Sequence, residues 1–155
     1  MAQDAKAVSI LVADDDPDDR MLIKEAFEEN RIINTIDFVE DGEQLLAYLR
    51  REGSYAHLAG RPYPGLVLLD LNMPKRDGRE ALADMKADAA LRRIPVVVLT
   101  TSKADEDIIR TYGLGVSSFI TKPVTFEGLV EITRILARYW IEIVELPPQR
   151  TSDVN

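Results

Sequence analysis

Five short segments with consecutive apolar residues constrain the fold of this chain more than any other feature. A stretch with helical spacing follows each of them, and they lie at 9–13, 36–39, 66–69, 95–99 and 117–121. Continuous apolar character indicates strands covered on both faces, and alternation with helices is typical of parallel sheets. The sequence therefore predicts an α/β fold, a single doubly wound sheet of five parallel strands with helices on both faces.

The helical stretches predict five helices, at 16–30, from 42 onward, at 79–87, at 104–112 and from about 126 to 144. Asp16 is placed to cap the first helix, and Pro17 suits its first turn. The segment 53–65 is rich in Gly, Pro and Tyr, so we interpret it as a loop. The folded domain is expected to span 9–146, between an N-terminal tail at 1–8 and a disordered C-terminal tail at 147–155.

The composition excludes several classes of function. A formal net charge of −8 repels the nucleic-acid backbone, so we expect no nucleic-acid partner. The absence of cysteine excludes disulfides, thiolate metal sites and cysteine catalysis. No stretch approaches the roughly 20 apolar residues of a spanning helix, and no signal peptide is visible, which predicts a cytoplasmic protein without a membrane partner. His57, the one histidine, lies in the 53–65 loop and is given no metal or catalytic role.

Charged or reactive residues stand where four of the five strands end. Asp14 and Asp15 follow the first strand, Asp70 the third, Thr100 the fourth and Lys122 the fifth. In an open parallel sheet the working site lies beyond the carboxyl ends of the strands, so these side chains are expected to meet. A purely structural sheet would carry turn-forming residues at these places. The combination predicts a functional site.

Charge decides which chemistry this site supports. Three carboxylates in a small cleft repel one another, and Mg²⁺ together with the Lys122 ammonium would balance them. A divalent ion beside an ammonium group is the arrangement that neutralises the oxygens of a transferring phosphoryl group. A carboxylate can act as the nucleophile of such a transfer and form an aspartyl phosphate. The residues therefore predict a magnesium-dependent site at which a carboxylate accepts a phosphoryl group.

The motifs around these residues resemble those of the bacterial response-regulator receiver domain. The resemblance covers about 9–137 and rests, in this order, on LVADDDP, LVLLDLNMPKRDG, PVVVLTTS and SFITKPV. It implies a flavodoxin-like fold with strand order 2-1-3-4-5. It also implies that Asp70 is the phosphoacceptor. Asp15 would bind Mg²⁺ directly, with Asp70 as a further metal ligand. Asp14 would act mainly through a metal-bound water, and Asn72 would supply a backbone carbonyl.

The same resemblance implies roles at the ends of the last two strands. Thr100 would hydrogen-bond to the phosphoryl group, and Lys122 would pair with it. Phe119 would be the switch aromatic that turns inward on phosphorylation; it also suits the core, and the two interpretations overlap. Asp14 departs mildly from the family, since its position often holds Glu, whose side chain reaches farther.

A narrower resemblance concerns the partner. The stretch at 51–64, the stretch at 94–108 and the terminal YWIEIVELP are similar to the small regulators that serve bacterial and cyanobacterial phytochromes. This resemblance implies a light-sensing histidine kinase, a phytochrome, as the partner.

One acidic stretch and one apolar stretch remain to be interpreted. Asp16, Asp18 and Asp19 are interpreted as a helix cap and a solvated acidic helix start. The end of the last helix has more apolar residues than one inward face can hold, and we expect a homodimer or partner contact there. The residues proposed for that contact are Tyr139, Trp140 and Ile143.

Two other classes of protein use a similar fold or nucleophile. A phosphatase-type hydrolase needs a second acid two residues after the nucleophile, where this chain has Asn72, and a capping insertion. A flavodoxin-type cofactor binder needs a phosphate-cradling loop after the first strand, where this chain has acidic residues at 14–16. The preferred hypothesis is a response regulator that accepts a phosphoryl group from a histidine kinase and signals by a surface change or dimerisation. It would not be an enzyme, beyond assisting its own phosphorylation and dephosphorylation.

Overall fold

Five parallel strands form the centre of the molecule. The computed structural model describes residues 9–30, 36–71, 73, 78–100, 118–123 and 125–138, with the backbone alone at 100, 118 and 119. The strands are β1 (Ile10–Ala13), β2 (Ile36–Val39), β3 (Leu66–Asp70), β4 (Val96–Thr100) and β5 (Ser118–Thr121). The described helices are α1 (Pro17–Glu29), α2 (Gly42–Arg50), α3 (Gly78–Ala87) and α4 (Phe126–Leu136).

The strand order is β2-β1-β3-β4-β5, and every pairing is parallel. The predicted fold class and strand order are thereby confirmed. The register places Asp70 opposite Leu99 and Thr100 opposite Thr121, so β3, β4 and β5 end close to one another. Because all strands run in one direction, their carboxyl ends share one edge of the sheet.

Local sequence explains where the first two helices begin. The Asp16 carboxylate accepts a hydrogen bond from the Asp18 backbone N–H at 2.8 Å, and Pro17 occupies the first turn of α1. The Asp41 carboxylate accepts from the Gln44 N–H at 2.8 Å and caps α2 in the same way. Each cap satisfies a backbone donor that has no partner within its helix. The predicted capping role of Asp16 is confirmed.

Two apolar clusters cover the two faces of the sheet. Alternate strand residues point to opposite sides, so Leu11 and Leu69 belong to one cluster while Val12 and Leu68 belong to the other. The first cluster includes side chains of α2 and α3, and the second includes those of α1 and α4. Helices therefore lie on both faces, as predicted for a doubly wound sheet.

A polar bridge joins α1 to α4 at the edge of the second cluster. The Asn30 side-chain amide donates to the Thr133 hydroxyl at 2.8 Å and to the Val130 carbonyl at 3.0 Å. The same amide lies 3.0 Å from the Ala26 carbonyl, within its own helix. These contacts fix how the two helices lie against each other, since amide geometry is directional.

The segment at 53–65, predicted to be a loop, contains a 3-10 helix at Gly53–Leu58. Arg51 precedes it in a left-handed backbone conformation, with φ of 59°. Its guanidinium donates to the carbonyl groups of Tyr48, Arg61 and Pro62 at 2.9–3.1 Å. It also lies over the rings of Tyr48 and Tyr63, at 5.6 and 5.2 Å from their centroids. One buried cation thus holds both ends of this segment.

Several predictions fall on residues that the structure does not describe. The tails at 1–8 and 147–155, the helix at 104–112 and the last helix beyond 138 lie outside the described residues. Within the part of the chain that is described, no helix has the length and apolar character needed to cross a membrane.

Candidate functional site

Asp14 is a buried carboxylate at the end of β1. Its backbone N–H donates to the Val39 carbonyl at 3.0 Å, which continues the pairing with β2 beyond the last strand residue. The side chain is 1% exposed. One carboxylate oxygen, Oδ1, accepts from the Asp16 N–H at 2.9 Å, whereas Oδ2 accepts no hydrogen bond from any described residue. A buried oxygen in this state is expensive unless a cation satisfies it.

Asp70 ends β3 and is 7% exposed. The chain folds back just after it, since the Gly78 N–H donates to the Leu71 carbonyl at 2.9 Å. A Cβ atom at Gly78 would lie 2.6 Å from both the Asp70 carbonyl oxygen and the Leu71 Cα. Only glycine fits this approach, so α3 begins directly against the backbone that carries the Asp70 side chain.

Asp14, Asp15 and Asp70 form an oxygen-only cluster. One carboxylate oxygen from each lies within 4.8 Å of the others, with Asp15 exposed and the other two buried. Mg²⁺ prefers such hard oxygen ligands at about 2.0–2.1 Å and keeps several waters, which an exposed member allows. Lys122 Nζ lies 3.2 Å from the buried Oδ2 of Asp14, but its single positive charge does not balance three carboxylates. The residues present therefore fit a small divalent ion.

Lys122 follows β5 and brings its ammonium group to the same place. Its Nζ lies 3.1 Å from Oδ2 of Asp70, to which it donates a hydrogen bond, and 3.2 Å from Oδ2 of Asp14. The sequence prediction that Asp14, Asp15, Asp70 and Lys122 come together at the strand ends agrees with this geometry.

The cleft favours the neutral form of Asp14 and the charged form of Lys122. Burial raises the pKa of Asp14 from 3.8 to about 6, despite the opposing effects of the Asp16 N–H and of Lys122. For Lys122 burial alone would lower the pKa, but the contacts with Asp19, Asp70 and Asp14 outweigh it and raise the pKa above the ordinary value. Lys122 is thus a permanent cation beside a carboxylate that is costly to ionise.

Asp19 is a member of the site that the sequence interpretation missed. The sequence predicts that Asp19 belongs to a solvated helix start, whereas its Oδ2 lies 2.6 Å from Lys122 Nζ. Asp19 stands in the first turn of α1, one turn after the Asp16 cap, on the side that faces the strand ends. The only sequence signal was an extra acid at helical spacing, which does not say how the helix is rotated about its axis.

The remaining predicted residues are placed only in part. Thr100 is the last residue of β4, whereas the sequence predicts that it follows a strand ending at 99. Phe119 lies within β5, opposite Val98, as predicted. Their side-chain roles stay predictions. Asn72 and the proposed contact residues Tyr139, Trp140 and Ile143 lie outside the described residues.

A family model and two curated relatives resemble this chain. The model described as the response regulator receiver domain matches residues 10–134. Response regulator Rcp1 of Synechocystis sp. is 39% identical over 138 residues, which cover 89% of this chain and 92% of Rcp1. The probable methanogenesis regulatory protein FilR2 of Methanothrix harundinacea is 43% identical over 133 residues, which cover 85% of this chain and 83% of FilR2.

Solved structures resemble it over nearly their whole length. The phosphorylated cyanobacterial phytochrome response regulator RcpA is 41% identical, with a TM-score of 0.81, over 91% of this chain and 99% of RcpA. The Mn²⁺-bound form of Rcp1 is 38% identical, with a TM-score of 0.79, over 91% of this chain and 99% of the Rcp1 chain. The Mn²⁺ in that relative agrees with the preference of the Asp14, Asp15 and Asp70 cluster for a divalent ion.

Proposed function

The chain belongs to the response regulator receiver domain family, and from this premise we propose that it accepts a phosphoryl group on Asp70 from a histidine kinase. The observation that carries the proposal is the arrangement of Asp70, Asp14, Asp15 and Lys122 at the strand ends. Asp70 is the member of the cluster that both contacts the ammonium group and stands on the central strand β3.

In the proposed transfer, a carboxylate oxygen of Asp70 attacks the phosphorus of a kinase phosphohistidine. The O–P bond forms as the N–P bond breaks, and the imidazole leaves with the electron pair of that bond. Lys122 offsets the charge of the phosphoryl oxygens, and we assign Thr100 the hydrogen bond to one of them. Mg²⁺ would be held by Asp15, Asp70 and the Asn72 carbonyl, and by Asp14 through water, and it would neutralise further phosphoryl charge.

The output is proposed to be a change of surface around Phe119. The acyl phosphate carries about two negative charges at the end of β3, where the Asp70 carboxylate carried one. Drawing Thr100 toward that group would open space into which the Phe119 ring turns, so that two conformations of the sheet edge exchange populations. We propose that the folded domain in which this change occurs spans 9–146. We propose a phytochrome-type kinase as the partner of this chain. The similarity to RcpA, a phytochrome response regulator, supports this proposal.

Phosphorylation on Asp70 is tested by incubating the purified chain with acetyl phosphate and Mg²⁺ and measuring intact mass. The gain of one phosphoryl group is expected in the wild type and not in Asp70→Asn. Asp84→Asn, on α3, is the matched control and should be modified like the wild type. A chain that stays unmodified with every donor, or an Asp70→Asn variant that is modified normally, contradicts the proposal.

The kinase class is tested by a transfer assay with purified phosphorylated kinases. Phytochrome-type kinases should transfer to this chain faster than kinases that lack a light-sensing domain, at equal concentrations. Equal rates, or a faster rate with a kinase of another class, would exclude the phytochrome assignment while leaving phosphorylation on Asp70 intact.

We also propose a homodimer through Tyr139, Trp140 and Ile143 at the end of the last helix. The support is the surplus of apolar residues in the sequence there and the exposure of Ile135, which is 48% exposed on the described part of the same helix. In sedimentation experiments Trp140→Ala should weaken self-association. Met21→Ala, which alters an exposed apolar residue on α1, is the control and should not. Unchanged association in Trp140→Ala removes this proposal.

A further inference from the structure

Lys122 lies among three carboxylates that come from three different elements. Its Nζ is 2.6 Å from Oδ2 of Asp19, 3.1 Å from Oδ2 of Asp70 and 3.2 Å from Oδ2 of Asp14. An ammonium group has three hydrogens to donate. The shortest of the three contacts is to Asp19, which is not part of the cluster that fits a metal ion.

The position of Asp19 is set by α1 and not by the strand ends. The Asp16 cap fixes the start of that helix, and the Asn30 bridge fixes its end against α4. Asp14 and Asp70, by contrast, stand at the ends of β1 and β3. Asp19 therefore pulls Lys122 toward the helix, while a phosphoryl group on Asp70 would need the ammonium for its own oxygens.

Resting on the proposed function, we propose that Asp19 is a positioning residue that competes with the phosphoryl group for Lys122. It stabilises the unmodified protein relative to the phosphorylated one, because its ion pair with Lys122 must weaken when the ammonium turns to the phosphoryl oxygens. Asp19 thereby lowers the affinity of the site for a phosphoryl group without contacting it.

The same contact has the opposite effect on the metal. In the unmodified protein Asp19 shares the Lys122 ammonium with Asp14 and Asp70, whose oxygens a divalent ion also needs. Without Asp19 the ammonium would rely on those two carboxylates and would repel the ion. Removal of Asp19 is therefore expected to weaken Mg²⁺ binding and to tighten phosphoryl binding. A merely structural defect would weaken both.

The test compares Asp19→Asn with Asp18→Asn in the full chain. Both variants remove one carboxylate from the first turn of α1, but the described contacts of Lys122 include Asp19 and not Asp18. Calorimetry gives the Mg²⁺ affinity. Fluoroberyllate, an analogue of a carboxylate-bound phosphoryl group, is then titrated at saturating Mg²⁺. Asp19→Asn should bind fluoroberyllate about two- to five-fold more tightly than Asp18→Asn, the range of a partly exposed ion pair.

The outcomes separate this inference from the function on which it rests. Tighter fluoroberyllate binding with weaker Mg²⁺ binding in Asp19→Asn, and wild-type values in Asp19→Glu, support the inference. Equal affinities in the two Asn variants, or weaker fluoroberyllate binding in Asp19→Asn, overturn it while the wild type still binds the analogue. A wild-type protein that binds no fluoroberyllate overturns both proposals. Urea midpoints of all variants show whether each is folded.

Discussion

The burial of Asp14 predicts that folding stability falls as the pH rises from about 4 to 7 in the absence of divalent ions. The pKa of this carboxyl is raised by burial from 3.8 to about 6. The folded state therefore holds the proton at pH values where the unfolded chain has lost it. A raised pKa of an acid destabilises the folded state once the unfolded chain ionises, and the penalty is complete above the folded-state value.

The size of the penalty follows from the shift. A difference of about 2 pH units corresponds to about 3 kcal/mol at pH 7 and to nothing well below pH 4. The attraction of Lys122 is already included in the raised pKa, so it does not add to this figure. About 3 kcal/mol is a large fraction of the stability of an ordinary domain.

Urea unfolding of the wild type and Asp14→Asn, at half-unit pH steps without divalent ions, measures this penalty. Asn keeps the size of the side chain and an oxygen for the Asp16 N–H, but it carries no charge. The variant should be more stable than the wild type by about 3 kcal/mol at pH 7, and the difference should vanish near pH 4. Addition of Mg²⁺ at pH 7 should stabilise the wild type more than the variant.

Asp18→Asn is the control for net charge, since Asp18 is exposed on the neighbouring turn. Its free energy of unfolding should differ little from that of the wild type, and the difference should not grow between pH 4 and pH 7 as it does for Asp14→Asn. A stability difference between Asp14→Asn and the wild type that does not change with pH would refute the reasoning. A variant less stable than the wild type at pH 7 would refute it as well.

Four further predictions concern the backbone beside Asp70, the 53–65 segment and the metal. Gly78→Ala should cost about 1–3 kcal/mol in urea unfolding and slow phosphorylation, because its Cβ would displace the backbone that carries Asp70. Arg51→Ala should cost about 2–3 kcal/mol, since three carbonyls in buried or partly buried contacts lose their donor. Arg51→Gly should be about 1 kcal/mol more stable than Arg51→Ala, because glycine accepts the left-handed conformation. Calorimetry should show Mg²⁺ affinity falling below pH 6, as Asp14 takes up a proton; an affinity that does not change with pH would contradict this.

The sheet and the main carboxylates could be predicted because short-range rules govern them. An apolar run such as 66–69 must be buried, and the residue that follows it must stand at the strand end, wherever the helices lie. Asp70 and Lys122 are therefore placed by strand direction alone. The caps at Asp16 and Asp41 are equally local, since each acts on a backbone N–H two or three residues away.

Asp19 and Arg51 could not be predicted because their contacts depend on how separate elements pack. The rotation of α1 about its axis decides whether Asp19 faces solvent or Lys122, and that rotation is set by the apolar cluster beneath the helix. Arg51 looks like an ordinary charged residue, yet its carbonyl partners at Arg61 and Pro62 are ten and eleven positions away. Neither arrangement leaves a local pattern in the sequence.

The bridge between Asn30 and Thr133 has a consequence for synthesis of the protein. The two residues stand 103 positions apart, so Asn30 is synthesised long before Thr133. The apolar face of α1, with Ile23 and Phe27, stays uncovered on that side until α4 emerges. Nascent chains that stall between these points would expose this face to chaperones and to other nascent chains, and folding would be completed only after the last helix leaves the exit tunnel.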